Sequence, residues 1–283
     1  MRILPISNTN NFNRIPNSKP SFKAHLDFYK FNSTQSCFFR RGCVILANNK
    51  GYSKIETIFK ELFTTNNSQQ KQMLIVGIGN SQEPFSYLAS IKGIIGNKSL
   101  KQAIDLYTVD LQSKPEEKQL KENAFSDLLD YEKFPEYAEK GFVKDNYDRW
   151  LGVNNNEKSY TPIELFLKIK TANKEPSRYR VNDEIFNLVK NTYNNPEKSK
   201  WDSRIQETIQ TYPENKFDII SANNVLGYIN SDYEYLQTLK HIKRTIKHGG
   251  YFITDPYDFL FKEYCADFLN NFEKIYEGIY KKK

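Results

Sequence analysis

The apolar run Met73-Leu74-Ile75-Val76 leads into Gly77-Ile78-Gly79-Asn80-Ser81-Gln82-Glu83-Pro84-Phe85-Ser86 and then into a second apolar stretch. A short apolar run stopped by glycines reads as a buried strand, a turn and the start of a helix, which commits this part of the chain to α/β architecture. Glycine at such a turn lets backbone N–H groups approach a ligand, and the start of the following helix favours negative charge. Gly77 and Gly79 are therefore candidate contacts for a nucleotide-like cofactor, although the same pattern also occurs in plain structural turns.

One strand-helix unit later, Ala103-Ile104-Asp105-Leu106-Tyr107-Thr108-Val109-Asp110 reads as another buried strand that ends in a carboxylate. Ligands of open α/β sheets lie outside the carboxyl ends of the strands, where an acidic residue ending the second strand can accept ribose hydroxyls. Asp110 is that candidate, with a helix N-cap as its structural alternative. A third strand, Phe217-Asp218-Ile219-Ile220-Ser221, precedes a helix that opens on the capping box Ser231/Glu234. Leu236, Leu239, Ile242 and Ile246 mark one face of that helix, which is expected to stop at Gly249-Gly250 before a strand at Tyr251–Thr254. His248 is expected in or just after the last helical turn, where a histidine suits the macrodipole. The sum is a doubly wound, mostly parallel central sheet of Rossmann-like type.

Several segments match one family in order. Ser36-Cys37-Phe38-Phe39-Arg40 is similar to T-x-F-F-R, Gln82-Glu83-Pro84-Phe85-Ser86 to E-E-P-Y-S, Asn224-Val225-Leu226-Gly227-Tyr228 to N-V-L-I-Y, and Lys247-His248-Gly249-Gly250-Tyr251 to K-P-G-G-Y. The chain thus resembles the class I S-adenosylmethionine-dependent methyltransferases, and more narrowly the chemoreceptor glutamate O-methyltransferases, over residues 34 to 255. The resemblance implies S-adenosyl-L-methionine as cofactor and roles for particular positions. Ser36 would contact the cofactor, and Arg40 would hold either the methionyl carboxylate or the acceptor carboxylate. Glu83 would bind the methionine moiety and Asp110 the ribose. Asn224 and Val225 would line the methionyl end, while Tyr228 would face the acceptor. Arg40 and Tyr228 are thus the candidate catalytic residues, and no metal is implied. The chain departs from the family pattern at Ser81, where a third glycine is usual, at Asn223, where arginine is usual, and at Gly227, where isoleucine is usual.

No general base accompanies these motifs. A carboxylate acceptor is ionised at neutral pH and needs alignment and exclusion of water rather than proton removal. The expected activity is therefore methyl transfer to a protein side chain of glutamate type, giving a carboxyl methyl ester. The alternatives are a methyltransferase of the same fold that acts on a small molecule or another protein group, and a catalytically silent cofactor-binding scaffold.

Composition bounds the setting. Lys and Arg number 41 against 34 acidic residues, a formal charge of +7, which can steer an acidic protein partner toward the site but selects no ligand by itself. No nucleic-acid motif is seen. No apolar run approaches a membrane span and no secretory signal is present, while Cys37, Cys43 and Cys265 form no metal or redox spacing, so reduced thiols in a cytoplasmic protein are expected. Residues 1–30 are Asn-, Ser- and Pro-rich and are expected to form a disordered leader. Residues 31–70 carry the Phe-Phe-Arg segment and a helix that opens on the capping box Ser53/Glu56. The methyltransferase domain is assigned to 71–270, and 271–283 to a terminal strand with the basic tail Lys281-Lys282-Lys283. Roughly a hundred residues separate Asp110 from Phe217, too many for one strand-helix-strand step, so a helical insertion at about 128–196 is expected as a lid that selects substrate. A strand is expected between Trp201 and Thr211.

Overall fold

The computed structural model describes residues 49–64, 69–79, 81–126, 141–146, 177–223, 225–229, 231–254 and 265–283. In chain order its first elements are helix α1 (Asn49–Thr64), strand β1 (Lys71–Val76), α2 (Gln82–Ile95), α3 (Leu100–Ala103), β2 (Ile104–Val109) and α4 (Glu117–Asn123). Next come the short β3 (Phe125–Ser126), β4 (Phe142–Asn146), β5 (Ser177–Val181), α5 (Asp183–Tyr193), β6 (Ser199–Lys200), α6 (Ile205–Thr211) and β7 (Phe217–Ala222). The chain finishes with α7 (Asp232–Thr245), β8 (Ile246–Thr254), α8 (Cys265–Leu269), β9 (Phe272–Tyr276) and β10 (Ile279–Lys282).

Seven strands form one sheet in the order β6-β2-β1-β7-β8-β10-β9. All run parallel except β10, which pairs antiparallel with both β8 and β9. This is the doubly wound order 3-2-1-4-5-6, with one antiparallel strand inserted before the last. The side-chain alternation of β1 shows why both faces must be covered. Met73 and Ile75 enter one core with α1, α2 and α5, whereas Leu74 and Val76 enter the other with α6, α7 and α8. Fully burying each such side chain contributes about 1.5–3 kcal/mol.

Local chemistry accounts for the element ends, and it corrects several expectations. Helix α1 begins at Asn49, so Ser53 lies inside it rather than capping it. Glu56, its expected capping-box partner, is buried and accepts a hydrogen bond from Ser90 Oγ at 3.3 Å. Ser231 does cap α7, its Oγ accepting the Glu234 N–H at 3.3 Å. The buried stripe of α7 is Tyr235, Thr238, Leu239, Ile242 and Thr245, and Leu236 falls outside it. The helix ends at Thr245, four residues before the glycine pair, because Gly249 and Gly250 belong to β8. A Cβ on Gly250 would lie 2.9 Å from the Lys247 carbonyl oxygen and 3.0 Å from that of Asp218, so close strand approach rather than helix termination explains this glycine. His248 therefore lies in a strand, with Nδ1 2.6 Å from the Lys283 carbonyl oxygen, and not in a helix end.

The long connection after Asp110 is divided differently from the expectation. Its described ends form a small antiparallel sheet, β3-β5-β4, rather than helices. Helix α5, within the expected insertion, is a core helix that packs on α2 and β2, with Asn182 Oδ1 capping it through the Ile185 N–H at 2.9 Å. The helix start expected at Thr161 lies outside the described residues. The third parallel strand is the two-residue β6, and residues 205–211, expected as strand, are helical. The chain ends in a β9–β10 hairpin rather than one strand and a solvated tail. Lys281 Nζ meets Glu61 Oε1 at 3.0 Å, and Lys282 Nζ donates to the Ile246 carbonyl at 2.7 Å.

Candidate functional site

Between β1 and β7 the strand order reverses, and the crevice outside their carboxyl ends is where doubly wound sheets place ligands. The loop from β1 to α2 enters this crevice in an unusual backbone conformation: Gly77, Gly79 and Ser81 have φ of +70°, +54° and +65°. Gly77 has no room for a side chain, since a Cβ there would lie 2.1 Å from Val225 Cγ2. Gly79 is exposed and its Cβ would meet nothing within 4 Å, so only its left-handed φ calls for glycine. Ser81 adopts this conformation as a non-glycine residue, at a cost of about 1–2 kcal/mol. Its Oγ accepts a 2.9 Å hydrogen bond from Tyr193 OH, which helps hold it there.

Asp110 lies beneath this loop, buried to 3% exposure. Its Oδ2 accepts the Gly79 N–H at 3.0 Å and its Oδ1 the Gln112 N–H at 2.9 Å. Burial pushes its carboxyl pKa above the usual range, and the backbone N–H groups of Gln112, Gly79, Ile78 and Leu111 pull the other way. The helix N-cap alternative does not hold, because the next helix starts only at Glu117. Asp110 ties the glycine loop to its own turn.

Glu83, in the first turn of α2, is the centre of a buried polar cluster that spans the crevice. Its Oε1 accepts from Ser221 Oγ and, at 2.9 Å, from Asn223 Nδ2. Asn223 Nδ2 also lies 3.0 Å from Tyr87 OH and 2.9 Å from Ser221 Oγ, and Tyr87 OH is 3.1 Å from Ser221 Oγ. Burial raises the Glu83 pKa to about 7, opposed by hydrogen bonds from Ser221, Asn223 and Tyr87. Glu83 Oε1, Ser221 Oγ, Asn223 Nδ2 and Tyr87 OH all find partners within the cluster, as a buried network requires.

The third parallel strand adds a shelf beside the loop. Asp110 N–H donates to the Lys200 carbonyl, Ser203 N–H to that of Asp110 at 3.2 Å and Asp202 N–H to that of Gln112 at 3.0 Å. Trp201 meets Tyr193 edge-on at 4.8 Å between ring centroids. Leu111 stands 42% exposed next to Asp110, an apolar surface at the strand end.

Of the expected site residues, Gly77, Gly79, Glu83, Asp110 and Val225 converge here. Ser36, Arg40 and Asn224 lie outside the described residues. Tyr228 ends the 3-10 turn Leu226–Tyr228, and its side chain is likewise outside the described set. Ser221, Tyr87, Tyr193 and the Trp201–Ser203 segment were not anticipated. Only Ser221 carried a signal, as the final residue of a recognised strand. Among the described residues no group of three or more His, Cys, Asp or Glu could hold a metal ion. None of their helices is long and apolar enough to cross a membrane.

No family model and no curated protein matches the chain. Solved structures do. The N-methyltransferase NodS from Bradyrhizobium japonicum WM9, in complex with S-adenosyl-L-homocysteine, aligns at 9% identity over 89% of this chain and 98% of its own, with a TM-score of 0.33. The DszA carbon methyltransferase aligns at 12% identity over 81% of this chain and 45% of its own, with a TM-score of 0.30. A proposed sarcosine dimethylglycine methyltransferase from Galdieria sulphuraria aligns at 10% identity over 72% of this chain and 47% of its own, with a TM-score of 0.29. The chain thus spans about half the length of the last two. At such identities and TM-scores the functional reading rests on this chain's own residues, in a doubly wound, Rossmann-like fold.

Proposed function

We propose that the protein is an S-adenosylmethionine-dependent methyltransferase that forms a carboxyl methyl ester on a protein side chain of glutamate type. The observation that carries this reading is the cradle at the switch point, where a left-handed Gly77–Ser81 loop is tied to Asp110 and faces the Glu83 cluster. A cofactor with a ribose, an ammonium and a carboxylate fits these donors and acceptors. Asp110 keeps acceptor capacity toward ribose hydroxyls beyond its backbone bonds. Glu83 has Ser221 and Asn223 on Oε1, which leaves Oε2 for the methionyl ammonium. Leu111 offers an apolar face to the base, and Val225 closes the methionyl end.

When bound, the cofactor supplies an electrophilic methyl group on a sulfonium. The Gly77–Ser81 loop, Asp110 and Glu83 would hold it with that methyl open to an acceptor carboxylate, whose oxygen would take the methyl while the carbon–sulfur electron pair stays on sulfur, so the chain's own residues would have no proton to move. Glu83, Tyr87, Asp110 and Tyr193, the buried ionisable groups at the described site, are all engaged in internal hydrogen bonds, which suits an acceptor that needs no base. Arg40 would orient the acceptor carboxylate or the methionyl carboxylate, and Tyr228 would face the acceptor. Calorimetric titration with S-adenosylhomocysteine tests the reading. Absence of binding at millimolar ligand sinks it, and binding without methyl transfer to any lysate component favours the silent scaffold.

A further inference from the structure

The cradle loop is held by side chains at Gly79 and again at Ser81. Asp110 accepts the Gly79 N–H, and Tyr193, the last residue of α5, donates its hydroxyl proton to Ser81 Oγ at 2.9 Å. The second support has a local reason. Ser81 is fully buried and holds φ at +65°, a conformation that glycine takes freely and an L-residue takes only when its surroundings enforce it.

The hydroxyl of Tyr193 is the part that packing does not explain. Its ring lies edge-on to Trp201 and joins the core that holds Ile185, Phe186 and Val189, a place that a phenylalanine ring fills equally well. The whole residue is only 3% exposed, so its oxygen has left water and needs a partner inside the protein. Burial raises its pKa, the Ser81 bond opposes this, and the charges of Asp110 and Glu83 raise it further. The group is therefore a permanent donor beside both carboxylates of the cradle.

The two supports are joined to each other. Trp201 Nε1 donates to the Tyr193 carbonyl at 3.2 Å, and the Ser203 N–H donates to the Asp110 carbonyl at 3.2 Å. Ser81, Tyr193, the Trp201–Ser203 segment, Asp110 and Gly79 form one closed circuit of contacts around the loop. Its base is firm: α5 is capped by Asn182 and packs on α2 and β2.

Resting on the cofactor reading above, we propose that Tyr193 is a positioning residue, whose hydroxyl fixes Ser81 in the left-handed conformation and so sets the Gly77–Ser81 loop to receive the cofactor. A bond from a rigid helix to a strained loop residue lowers the population of open loop conformers, and a ligand that needs the closed loop then binds without first ordering it.

The test follows amide hydrogen exchange of residues 76–83 in the ligand-free full chain, where Asp110 holds the Gly79 N–H and the Ile78 carbonyl accepts the Ser81 N–H at 3.0 Å. Tyr193→Phe keeps the ring and removes the bond. Exchange in the loop should quicken about 5- to 20-fold, and calorimetric affinity for S-adenosylhomocysteine should fall by a similar factor. Adding Ser81→Gly should restore most of both, because glycine adopts the left-handed conformation without a partner. A residue that only packs would quicken exchange along α5 instead, and a change at position 81 would not rescue it. The proposal fails if Tyr193→Phe leaves loop exchange unchanged, if exchange quickens while affinity stays the same, or if Ser81→Gly restores neither. If the wild type binds no S-adenosylhomocysteine, the cofactor reading falls, and loop exchange in the two variants decides by itself whether Tyr193 sets the loop.

Discussion

Gly77→Ala imposes two separable penalties on the cradle. An L-residue at φ +70° costs about 1–2 kcal/mol, whatever surrounds it. The new Cβ also lands 2.1 Å from Val225 Cγ2, so Val225 must leave its rotamer or the backbone must shift, an overpacking cost of about 1–3 kcal/mol. The expected loss is therefore about 2–5 kcal/mol. Gly79→Ala makes the control, because its φ is +54° but its Cβ would meet nothing within 4 Å, leaving only the first penalty. Val225→Ala removes the clashing methyl, so the double variant Gly77→Ala, Val225→Ala should be more stable than the sum of the single effects by about 1–3 kcal/mol. Urea denaturation of the wild type and the four variants measures all of this. If Gly77→Ala is no worse than Gly79→Ala, or if the cycle is additive, Val225 does not pack against Gly77 and the described cradle is wrong.

Three further outcomes follow from the same residues. Glu83 has its folded pKa raised from 4.5 to about 7, so the folded state holds the proton more tightly than the unfolded chain; the stabilisation is fully present below pH 4.5 and is lost as pH rises through 7. That window is worth about 3 kcal/mol, and Glu83→Gln should flatten the difference in urea midpoint between about pH 5 and pH 8; an unchanged pH dependence would show that Glu83 does not titrate there. Asp110→Ala should weaken S-adenosylhomocysteine binding roughly 10- to 150-fold by removing hydrogen bonds to a charged group, and unaltered calorimetric affinity would reduce Asp110 to a loop tether. Arg40→Ala should lower turnover about 10²–10³-fold with little effect on cofactor affinity, and Arg40→Lys should recover only part of it, because the planar fork is lost; equal losses in binding and rate would move Arg40 to the cofactor.

The central strands were legible in the residues because they are largely apolar on both faces, and β1 and β2 stop at a glycine and a carboxylate. β1, β2 and β7 lie within a residue or two of their expected bounds, and Ser231 caps α7 through a local hydrogen bond. What stayed hidden depends on distant partners. β6 is two residues long and exists because Thr108 and Val109 pair with it across a large stretch of chain, so no periodicity could announce it. Lysines 281 and 282 read as a solvated tail, yet the interior strand β10 uses them to reach Glu61 and the Ile246 carbonyl. Gly249-Gly250 resembled a helix stop, but they serve a strand whose register shifts against β7. At the site, the glycines and Asp110 could be named from their places at strand ends, and Glu83 from the family resemblance. The bonds from Ser221 and Asn223 to Glu83, and from Tyr193 to Ser81, join segments more than a hundred residues apart and follow only from the topology.

The chemistry of the transferred methyl group tests the account most directly. The protein is incubated with S-adenosylmethionine carrying a tritiated methyl group and a lysate of acceptor proteins, and the labelled protein fraction is then treated with mild alkali. A carboxyl methyl ester predicts that the label leaves the protein as volatile methanol, and that Arg40→Ala abolishes most of the incorporation. Label that stays on protein through alkali, as an N-methyl or ether product would, contradicts carboxyl methylation, and label confined to small molecules contradicts a protein acceptor.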